Sequence, residues 1–330
     1  MRAIVVAQTG GPEVLTLTDV RSPEPGPGQI LVSVAAAGIN FIDVYQRGGL
    51  YRMPDVFTPG LEGAGRVLAT GEGVTEFAAG DLVAWLDQLG SYAELAVVRA
   101  DRAVPVPDGL TADIAAAAMM QGTTAQYLCR STYPIQPGET ALIHAAAGGT
   151  GLILTQLVKA LGGKVVATVS TEEKEKLSRG AGADEVIRYG GYAGDGTSGG
   201  ALAAEVRRLN GGEAVHVVYD GVGRDTWEAS LKSLRPRGTL VSFGNASGAV
   251  APFAPLELAA AGSLYVTRPT NVHYTATRAD LLWRTGDVFG RVLDGSLRIS
   301  VSATYPLADA GQAHRDLEAR KTTGKLLLLP

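Results

Sequence analysis

Residues 138–151 read GETALIHAAAGGTG. The apolar run at 140–144 predicts a buried strand, and a helix is predicted to start just after the glycines. Between them, Ala146, Gly148 and Gly151 occupy the three small-residue positions of the dinucleotide fingerprint, with alanine in place of the first glycine. Small residues are needed because the chain turns tightly, its backbone approaches a pyrophosphate, and the helix packs close to the strand. The stretch therefore predicts a phosphate-binding turn at a helix N-terminus.

Strands and helices alternate beyond this turn. The predicted strands lie at 164–169, 186–187, 215–219, 239–243 and 263–267, and the predicted helices at 150–161, 172–179, 202–208 and 227–234. Strands that alternate with helices of this length predict a parallel sheet wound on both faces. The segment 189–200 is rich in Gly and Ser and is predicted to be a surface loop.

The residues after the second of these strands bear on the choice of cofactor. Domains that bind NAD place Asp or Glu there to hold the ribose 2′-hydroxyl. This chain has STEEK at 170–174, so two hydroxyl residues replace the acid and Lys174 follows within reach of a 2′-phosphate. The pattern favours NADPH. Two alternatives stay open: Glu172 and Glu173 would weaken phosphate binding unless they point to solvent, and the same residues suit an ordinary capped helix start.

The N-terminal third has a different pattern, in which short strands are separated by turns. Strands are predicted at 3–7, 29–36, 65–69 and 82–85, with Gly- and Pro-rich turns at 22–28, 70–73 and 79–81. This pattern predicts a β-rich, barrel-like domain. Further along, the sequence predicts a helix from Ile114, helices at 281–294 and 308–319, a turn at 305–307 and a terminal strand at 325–329.

Composition limits the classes of protein to consider. A chain of 330 residues with 46% apolar and 19% charged residues is expected to fold into two domains. The net charge of −4 and the lack of a basic stripe argue against nucleic-acid binding. The one cysteine, Cys129, allows no intramolecular disulfide and fits a reducing compartment. No apolar run approaches the roughly 20 residues that span a bilayer, and none resembles a signal peptide, so a cytoplasmic location without membrane attachment is expected.

Several segments together resemble a known family. Residues 138–142 and 146–151, with Gln156 and Lys159, match the fixed positions of the quinone oxidoreductase/zeta-crystallin signature. The segments 37–43, 47–51, 219–227, 242–245 and 265–269 are similar to the bacterial branch of that family. Over essentially its whole length, the chain resembles the zinc-free NADPH:quinone oxidoreductases of the medium-chain dehydrogenase/reductase superfamily. The resemblance implies an α/β protein with a GroES-like β-rich catalytic domain at 1–123 and 269–330 and a Rossmann NADPH-binding domain at 124–268.

The same superfamily contains zinc alcohol dehydrogenases, which differ from this chain at the ligand positions. Those enzymes carry a cysteine where this chain has Asn40, and a histidine where it has Leu61. With those positions changed and one cysteine in the chain, no zinc site is expected. Glu62 is expected to be a structural carboxylate, paired with a buried arginine or a backbone N–H.

The resemblance also implies the site residues. Asn40, Tyr45 and Tyr51 are the catalytic candidates: the Asn40 amide would donate to a developing oxyanion, and the tyrosines would donate hydrogen bonds or relay a proton. The alternative for either tyrosine alone is ordinary packing. The cofactor-binding candidates are Phe41, Tyr45, Tyr127, Gly148, Gly149, Thr150, Ser170, Lys174, Tyr189, Gly221, Phe243, Gly244, Asn245, Arg268, Pro269, Thr270 and Arg320. Lys174 and Tyr189 fit around the 2′-phosphate, whereas the segments 243–245 and 268–270 fit near the nicotinamide.

The expected reaction is zinc-independent hydride transfer from NADPH to a small-molecule quinone. The alternative is NADPH-dependent reduction of the double bond of an enone or alkenal, because relatives share the cofactor motifs. A more distant alternative is a non-enzymatic protein, either crystallin-like or binding AU-rich RNA; the acidic balance argues against RNA. By resemblance, a homodimer is expected through pairing of edge strands at 263–267. The histidines His144, His216, His273 and His314 lack ligand spacing and are expected to be structural.

Overall fold

The computed structural model describes residues 1–189 and 198–330. The chain divides into two compact units, one formed by Met1–Thr123 with Tyr274–Pro330 and the other by Thr124–His273. Most of the loop predicted at 189–200 lies outside the described residues. The domain division predicted from the sequence, with its boundary at 268/269, stays a prediction.

The elements are numbered in chain order. The strands are β1 (Arg2–Val5), β2 (Thr16–Asp19), β3 (Gln29–Ile39), β4 (Glu62–Thr70), β5 (Leu82–Leu86), β6 (Leu95–Arg99), β7 (Ala103–Pro105), β8 (Thr140–Ile143), β9 (Lys164–Val169), β10 (Glu185–Arg188), β11 (Val215–Asp220), β12 (Leu234–Ser242), β13 (Tyr265–Thr267), β14 (Val301–Pro306) and β15 (Lys325–Leu329). The helices are α1 (Phe41–Arg47), α2 (Ala112–Tyr127), α3 (Gly149–Ala160), α4 (Glu172–Gly180), α5 (Ser198–Leu209), α6 (Trp227–Ser233), α7 (Pro255–Ala260), α8 (Asn271–Tyr274), α9 (Arg278–Leu293) and α10 (Ala310–Glu318).

A parallel sheet forms the centre of the unit Thr124–His273. Its strand order is β10-β9-β8-β11-β12-β13, and every neighbouring pair is parallel. The order reverses between β8 and β11, as in the Rossmann fold, where ligands bind beyond the carboxyl ends of the strands. Strand residues such as Leu142, Val218 and Leu240 are fully buried in its core. The predicted doubly wound parallel sheet is confirmed.

The other unit is rich in β-structure, as predicted. Its larger sheet has the order β14-β15-β3-β4-β5-β7, with β6 also paired to β3, and β1 pairs with β2 in a separate ribbon. The long strand β3 alternates buried and partly exposed residues, and β15 and β4 run antiparallel to it on either side. Both neighbours therefore begin beside the end of β3, where the polar residues described below are found.

Two local expectations differ from the structure. Residues 305–307 were expected to form a turn, but Tyr305 and Pro306 end β14, an edge strand paired only with β15, where a proline is tolerated. Leu234 was expected in a helix but begins β12. The sequence reading also missed α1, together with β2, β6 and β7. Within the described ranges, no helix is long and apolar enough to cross a membrane.

Candidate functional site

The predicted dinucleotide-binding residues of the parallel-sheet unit collect at one edge of the sheet. Gly148, Gly149 and Thr150 follow β8, Ser170 and Lys174 follow β9, Tyr189 follows β10, Gly221 follows β11, Phe243, Gly244 and Asn245 follow β12, and Arg268, Pro269 and Thr270 follow β13. Because all six strands are parallel, their carboxyl ends lie at the same edge. That edge is where ligands bind in open α/β sheets.

The turn after β8 is tightly packed. Ala145 has a positive φ of 51°, a left-handed conformation that occurs in tight turns, and Gly148 is the N-cap of α3. A Cβ at Gly151 would lie 2.7 Å from both the carbonyl oxygen of Ala145 and the Cα of Ala146, so only glycine lets the helix approach the strand. The first N–H groups of α3 therefore lie at the end of a closely packed turn, which suits a phosphate group.

The loops after β11 and β12 are joined by a buried carboxylate and by backbone contacts. Asp220 Oδ1 accepts hydrogen bonds from the backbone N–H groups of Val222 (2.8 Å) and Gly223 (3.0 Å). The backbone N–H of Phe243 donates to the Asp220 carbonyl (2.8 Å). The ring of Phe243 covers Gly221, where a Cβ would lie 2.9 Å from the ring. Asp220, which sequence reasoning missed, thus organises the segment that carries Gly221.

Arg268 is held at the same edge by carbonyl oxygens. Its Nη1 donates to Ser242 (2.8 Å) and to Gly244 (3.2 Å). With its amide oriented to satisfy both neighbours, Asn245 donates to the Gly244 carbonyl (2.9 Å) and accepts from Arg268 Nη2 (3.3 Å). The predicted residues after β12 and β13 therefore form one hydrogen-bonded group.

A buried histidine, His144, connects the strand ends at this edge through hydrogen bonds. His144 contacts Thr168 Oγ1 through Nδ1 (2.9 Å) and Ser230 Oγ through Nε2 (3.1 Å), and Ser230 donates to Asp220 Oδ2 (2.8 Å). Burial lowers the pKa of His144, although the Asp220 carboxylate opposes the shift. His144 therefore links the ends of β8, β9 and β11, which is the structural role expected for it.

Lys174 lies in the first turn of α4, after a capped helix start. Thr171 is the N-cap, and its Oγ1 accepts from the backbone N–H of Lys174 (3.2 Å). Glu172 and Glu173 are exposed, and Glu172 pairs with Lys176 (2.9 Å). The capped-helix interpretation is therefore correct. It is compatible with a phosphate-binding Lys174, because both acids point to solvent.

Two cofactor candidates, Tyr127 and Arg320, do not follow a strand of this sheet. Tyr127 ends α2 and is buried, with 2% of its surface exposed. Arg320 is exposed between α10 and β15, and it has a positive φ of 56°. Their roles toward a cofactor stay predictions.

In the β-rich unit, the catalytic candidates surround α1. Asn40 is the N-cap of this helix, which carries Phe41 and Tyr45. The ring centroids of Phe41 and Tyr45 lie 6.1 Å apart, and those of Tyr45 and Tyr51 also lie 6.1 Å apart. Tyr51 is 42% exposed and Leu50 is 54% exposed. Phe41, Tyr45 and Tyr51 therefore form an aromatic row that reaches the surface beside Asn40.

The Asn40 side chain contacts a buried ion pair. Its Nδ2 donates to Glu62 Oε1 (2.6 Å), and its Oδ1 accepts from Lys325 Nζ (2.9 Å). Lys325 Nζ also pairs with Glu62 Oε1 and donates to the Ile39 carbonyl (3.2 Å), while the backbone N–H of Met120 donates to Glu62 Oε2 (2.5 Å). Glu62 is 0% exposed and Lys325 is 1% exposed. Glu62 thus has a backbone partner, as expected, but its buried cation is a lysine rather than an arginine.

A second buried chain of contacts begins at the Asn40 backbone. Asp43 Oδ2 accepts from Asn40 N–H (2.8 Å) and from the Tyr92 hydroxyl (2.9 Å), and burial raises the pKa of Asp43 to about 7. The Tyr92 oxygen contacts His314 Nε2 (3.2 Å), and His314 Nδ1 contacts Arg47 Nη1 (3.2 Å). Burial, reinforced by Arg47, lowers the pKa of His314 to about 3. Because a guanidinium can only donate, the neutral imidazole must carry its proton on Nε2.

Across residues 1–189 and 198–330, no group of three or more His, Cys, Asp and Glu side chains could hold a metal ion.

The main residue that sequence reasoning missed is Lys325. Its available signal was a single charge at the head of the apolar run 325–329.

Two family models match the chain. Residues 26–108 match the model described as "Alcohol dehydrogenase GroES-like domain", and residues 149–276 match the one described as "Zinc-binding dehydrogenase". The two matches fall in the β-rich unit and mainly in the parallel-sheet unit, respectively.

Curated relatives and solved structures match the chain over its full length. The "Quinone oxidoreductase" of Pseudomonas aeruginosa is 46% identical over 100% of this chain and 99% of its own. The crystal structure of Escherichia coli quinone oxidoreductase complexed with NADPH is 42% identical, covers 100% of both chains and has a TM-score of 0.95. The "2-haloacrylate reductase" of a Burkholderia species is 39% identical over 99% of this chain and 98% of its own.

Proposed function

The chain belongs to the quinone oxidoreductase family of the medium-chain dehydrogenase/reductase superfamily, and from this premise we propose that it is an NADPH:quinone oxidoreductase. In the proposed reaction, a quinone gains a hydride from NADPH and a proton, which yields the hydroquinone and NADP⁺. The observation that carries the proposal is the edge of the parallel sheet, where the predicted dinucleotide-binding residues follow six consecutive strands.

The residues at this edge suit NADPH. The α3 N-terminus, at Gly148 and Thr150, offers N–H groups to the pyrophosphate, and the closely packed glycine at 151 keeps that approach open. Ser170 and Thr171 replace the acid of NAD-binding domains, and Lys174 adds a positive charge in the first turn of α4. Arg268, held by carbonyl groups, adds a second cation. When bound, NADPH supplies the hydride.

In the β-rich unit, we assign the binding of the acceptor to Asn40 and to the aromatic row of Phe41, Tyr45 and Tyr51. Flat aromatic side chains suit a flat quinone ring, and an amide N–H from Asn40 would stabilise the charge that develops on the quinone oxygen. The hydroxyl of Tyr45 or of Tyr51 would deliver the one proton that the reaction needs. A quinone accepts hydride readily, so zinc-independent chemistry suits Asn40 and Leu61 at positions where zinc enzymes have ligands.

A second candidate acceptor is an activated carbon–carbon double bond, as in an enone or alkenal. The similarity to a 2-haloacrylate reductase favours this alternative. The same cofactor edge and Asn40 would serve both reactions, since each places negative charge on an oxygen of the acceptor.

We further propose that the protein is a cytoplasmic homodimer that pairs through β13. This strand is at the edge of the parallel sheet, and Tyr265 in it is 61% exposed. Leu256, in α7, is 77% exposed. Light scattering during size-exclusion chromatography would test this: Tyr265→Lys should give monomers, whereas an unchanged dimer would contradict pairing at β13.

We also propose that residues 1–123 and 269–330 form the catalytic domain and that residues 124–268 form the NADPH-binding domain.

The enzymatic proposal is tested by binding and by turnover. Fluorescence titration should show tighter binding of NADPH than of NADH, and absorbance at the reduced nicotinamide band should fall when 1,4-benzoquinone is added. Turnover with an enone panel and none with quinones would transfer the function to double-bond reduction. Absence of binding by either cofactor would contradict both. Filter binding to an AU-rich RNA would test the non-enzymatic alternative.

A further inference from the structure

We propose that Lys325 and Glu62 are positioning residues for reduction of the acceptor, because they lock the Asn40 amide in one orientation with a single N–H left to donate. The inference rests on the proposed function and deepens it, since it explains how the catalytic unit fixes its oxyanion donor. Glu62 was expected to be structural, whereas no motif in the sequence marks Lys325.

The topology of the sheet brings the three residues together. Asn40 directly follows β3, Lys325 opens β15 and Glu62 opens β4. Both β15 and β4 run antiparallel to β3, so their first residues lie beside its end. Residues that are 263 positions apart thereby meet at one end of three adjacent strands.

The count of donors and acceptors fixes the orientation of the amide. An ammonium has only donors and a carboxylate has only acceptors, so the oxygen of Asn40 must face Lys325 and its nitrogen must face Glu62. Rotating the amide by half a turn would place its oxygen against the carboxylate and its nitrogen against the ammonium. The two charges therefore exclude the alternative orientation.

The same count leaves one group available for the substrate. Lys325 Nζ uses its three N–H groups on Glu62, Asn40 and the Ile39 carbonyl. Both carboxylate oxygens of Glu62 have partners as well. One N–H of Asn40 has no partner among the described residues, and Asn40 is the most exposed of the three at 8%.

Burial separates the role of the ion pair from catalysis itself. Glu62 and Lys325 are almost fully enclosed, so neither can touch an acceptor or exchange protons with solvent directly. Gly38 in β3 contributes to this enclosure, because a Cβ there would overlap the Glu62 carboxylate. The pair therefore acts through Asn40, which makes Lys325 and Glu62 positioning residues rather than catalytic ones.

A double-mutant cycle tests this role. Removing only Lys325 would leave a buried unpaired carboxylate and endanger folding, so the pair is replaced together, as Glu62→Gln with Lys325→Met. The Gln amide can pair with either orientation of the Asn40 amide, and the Met side chain favours neither orientation. We expect kcat with 1,4-benzoquinone to fall about ten- to a hundredfold, as for misplacement of a reacting group, with the Kd for NADPH unchanged within about twofold.

The cycle is completed in an Asn40→Ala background. If Lys325 and Glu62 act through Asn40, the same double replacement should change kcat by less than about twofold there. An equal loss in both backgrounds would overturn the inference, because it would show a general structural effect. Lys164→Met is the matched control, since Lys164 also opens an apolar strand, β9, but is exposed. It should leave kcat unchanged.

A spectroscopic measurement keeps the test independent of turnover. The side-chain amide signal of Asn40 in a ¹⁵N–¹H spectrum is assigned by its loss in Asn40→Ala. It should be sharp and well dispersed in the wild-type protein, and shifted and broadened after the double replacement. An unchanged signal would overturn the lock even if the wild-type protein reduced no quinone. Absent quinone turnover in the wild type would instead overturn the proposed function.

Discussion

The Tyr92 hydroxyl donates a hydrogen bond to Asp43 Oδ2 across 2.9 Å, and both side chains are fully buried. On its other side, Tyr92 contacts His314, so a single hydroxyl joins an acid and a base. Burial raises the pKa of Asp43 to about 7 and lowers that of His314 to about 3. Desolvation therefore favours the uncharged form of both side chains.

These opposite pKa shifts predict how the free energy of unfolding depends on pH. The Asp43 contribution is present below pH 3.8 and is lost as the pH rises toward 7, because the folded state binds the extra proton. The His314 contribution is present above pH 6.5 and is lost as the pH falls toward 3. Between about pH 4 and 6.5 the two slopes oppose each other, so Asp43 and His314 together should add little pH dependence to the free energy of unfolding there.

Asp43→Asn should expose the histidine slope. An amide oxygen can still accept from Asn40 N–H and Tyr92, but no carboxyl titrates. The free energy of unfolding should therefore fall by about 1.4 kcal/mol per pH unit on acidification from 6.5 to 4. Urea midpoints at pH 8, 6.5 and 5 measure the slope. The exposed Asp55 provides the control, Asp55→Asn, and parallel pH profiles for Asp43→Asn and the wild type would contradict the assignment.

Gly38→Ala should destabilise the β-rich unit. The added methyl would overlap the carboxylate of Glu62, which cannot move because Lys325, Asn40 and a backbone N–H hold it. We expect a loss of about 1–3 kcal/mol in the free energy of unfolding, the usual cost of overpacking. Thermal and urea unfolding would measure it.

A second glycine in the same unit provides a control of opposite sign. Gly290 lies in α9, and a Cβ there would meet nothing within 4 Å. Gly290→Ala should therefore stabilise the protein by about 0.5–1 kcal/mol through helix propensity. Equal effects of the two substitutions would show that the space at Gly38 is not specifically needed by Glu62.

Local signals were sufficient for most of the fold. The strands at 164–169 and 325–329 were predicted with their observed bounds, because apolar runs between turn signals are unambiguous there. Helix α1 was missed because it has only seven residues, and its first turn is fixed by Asp43, whose partner Tyr92 is 49 positions away. Contacts of that kind leave no periodic pattern in the sequence.

The candidate site, like the fold, was predictable only where local sequence signals exist. The residues after the parallel strands were predictable, because the fingerprint at 146–151 locates one strand end and the fold places the others beside it. Lys325 was not predictable. Lys164 and Lys325 both open apolar strands, yet one is exposed and the other is buried against Glu62. Only the pairing of β15 with β3 distinguishes them.

Gly221→Ser should weaken cofactor binding. Serine would add a Cβ and a hydroxyl, but the Phe243 ring fills the space, and a Cβ would lie 2.9 Å from it. The ring must then rotate away from the edge where we place the nicotinamide. We expect the Kd for NADPH to rise about five- to tenfold, equivalent to roughly 1 kcal/mol. Adding Phe243→Leu should restore part of the affinity, and a Kd unchanged by Gly221→Ser would show that the ring position does not matter.

Lys174→Ala should lower the affinity for NADPH and leave that for NADH unchanged. Lys174 lies in the first turn of α4. The neighbouring Glu172 and Glu173 are exposed, so water screens their negative charges from the ammonium of Lys174. A charged hydrogen bond to a phosphate contributes about 1.5–3 kcal/mol, so the Kd for NADPH should rise at least about tenfold. Lys176→Ala, on the same helix but paired with Glu172, is the control and should change neither affinity by more than about twofold. Equal losses for both nucleotides would place Lys174 away from the 2′-phosphate, and the choice of NADPH would then have to rest on Ser170 and Tyr189.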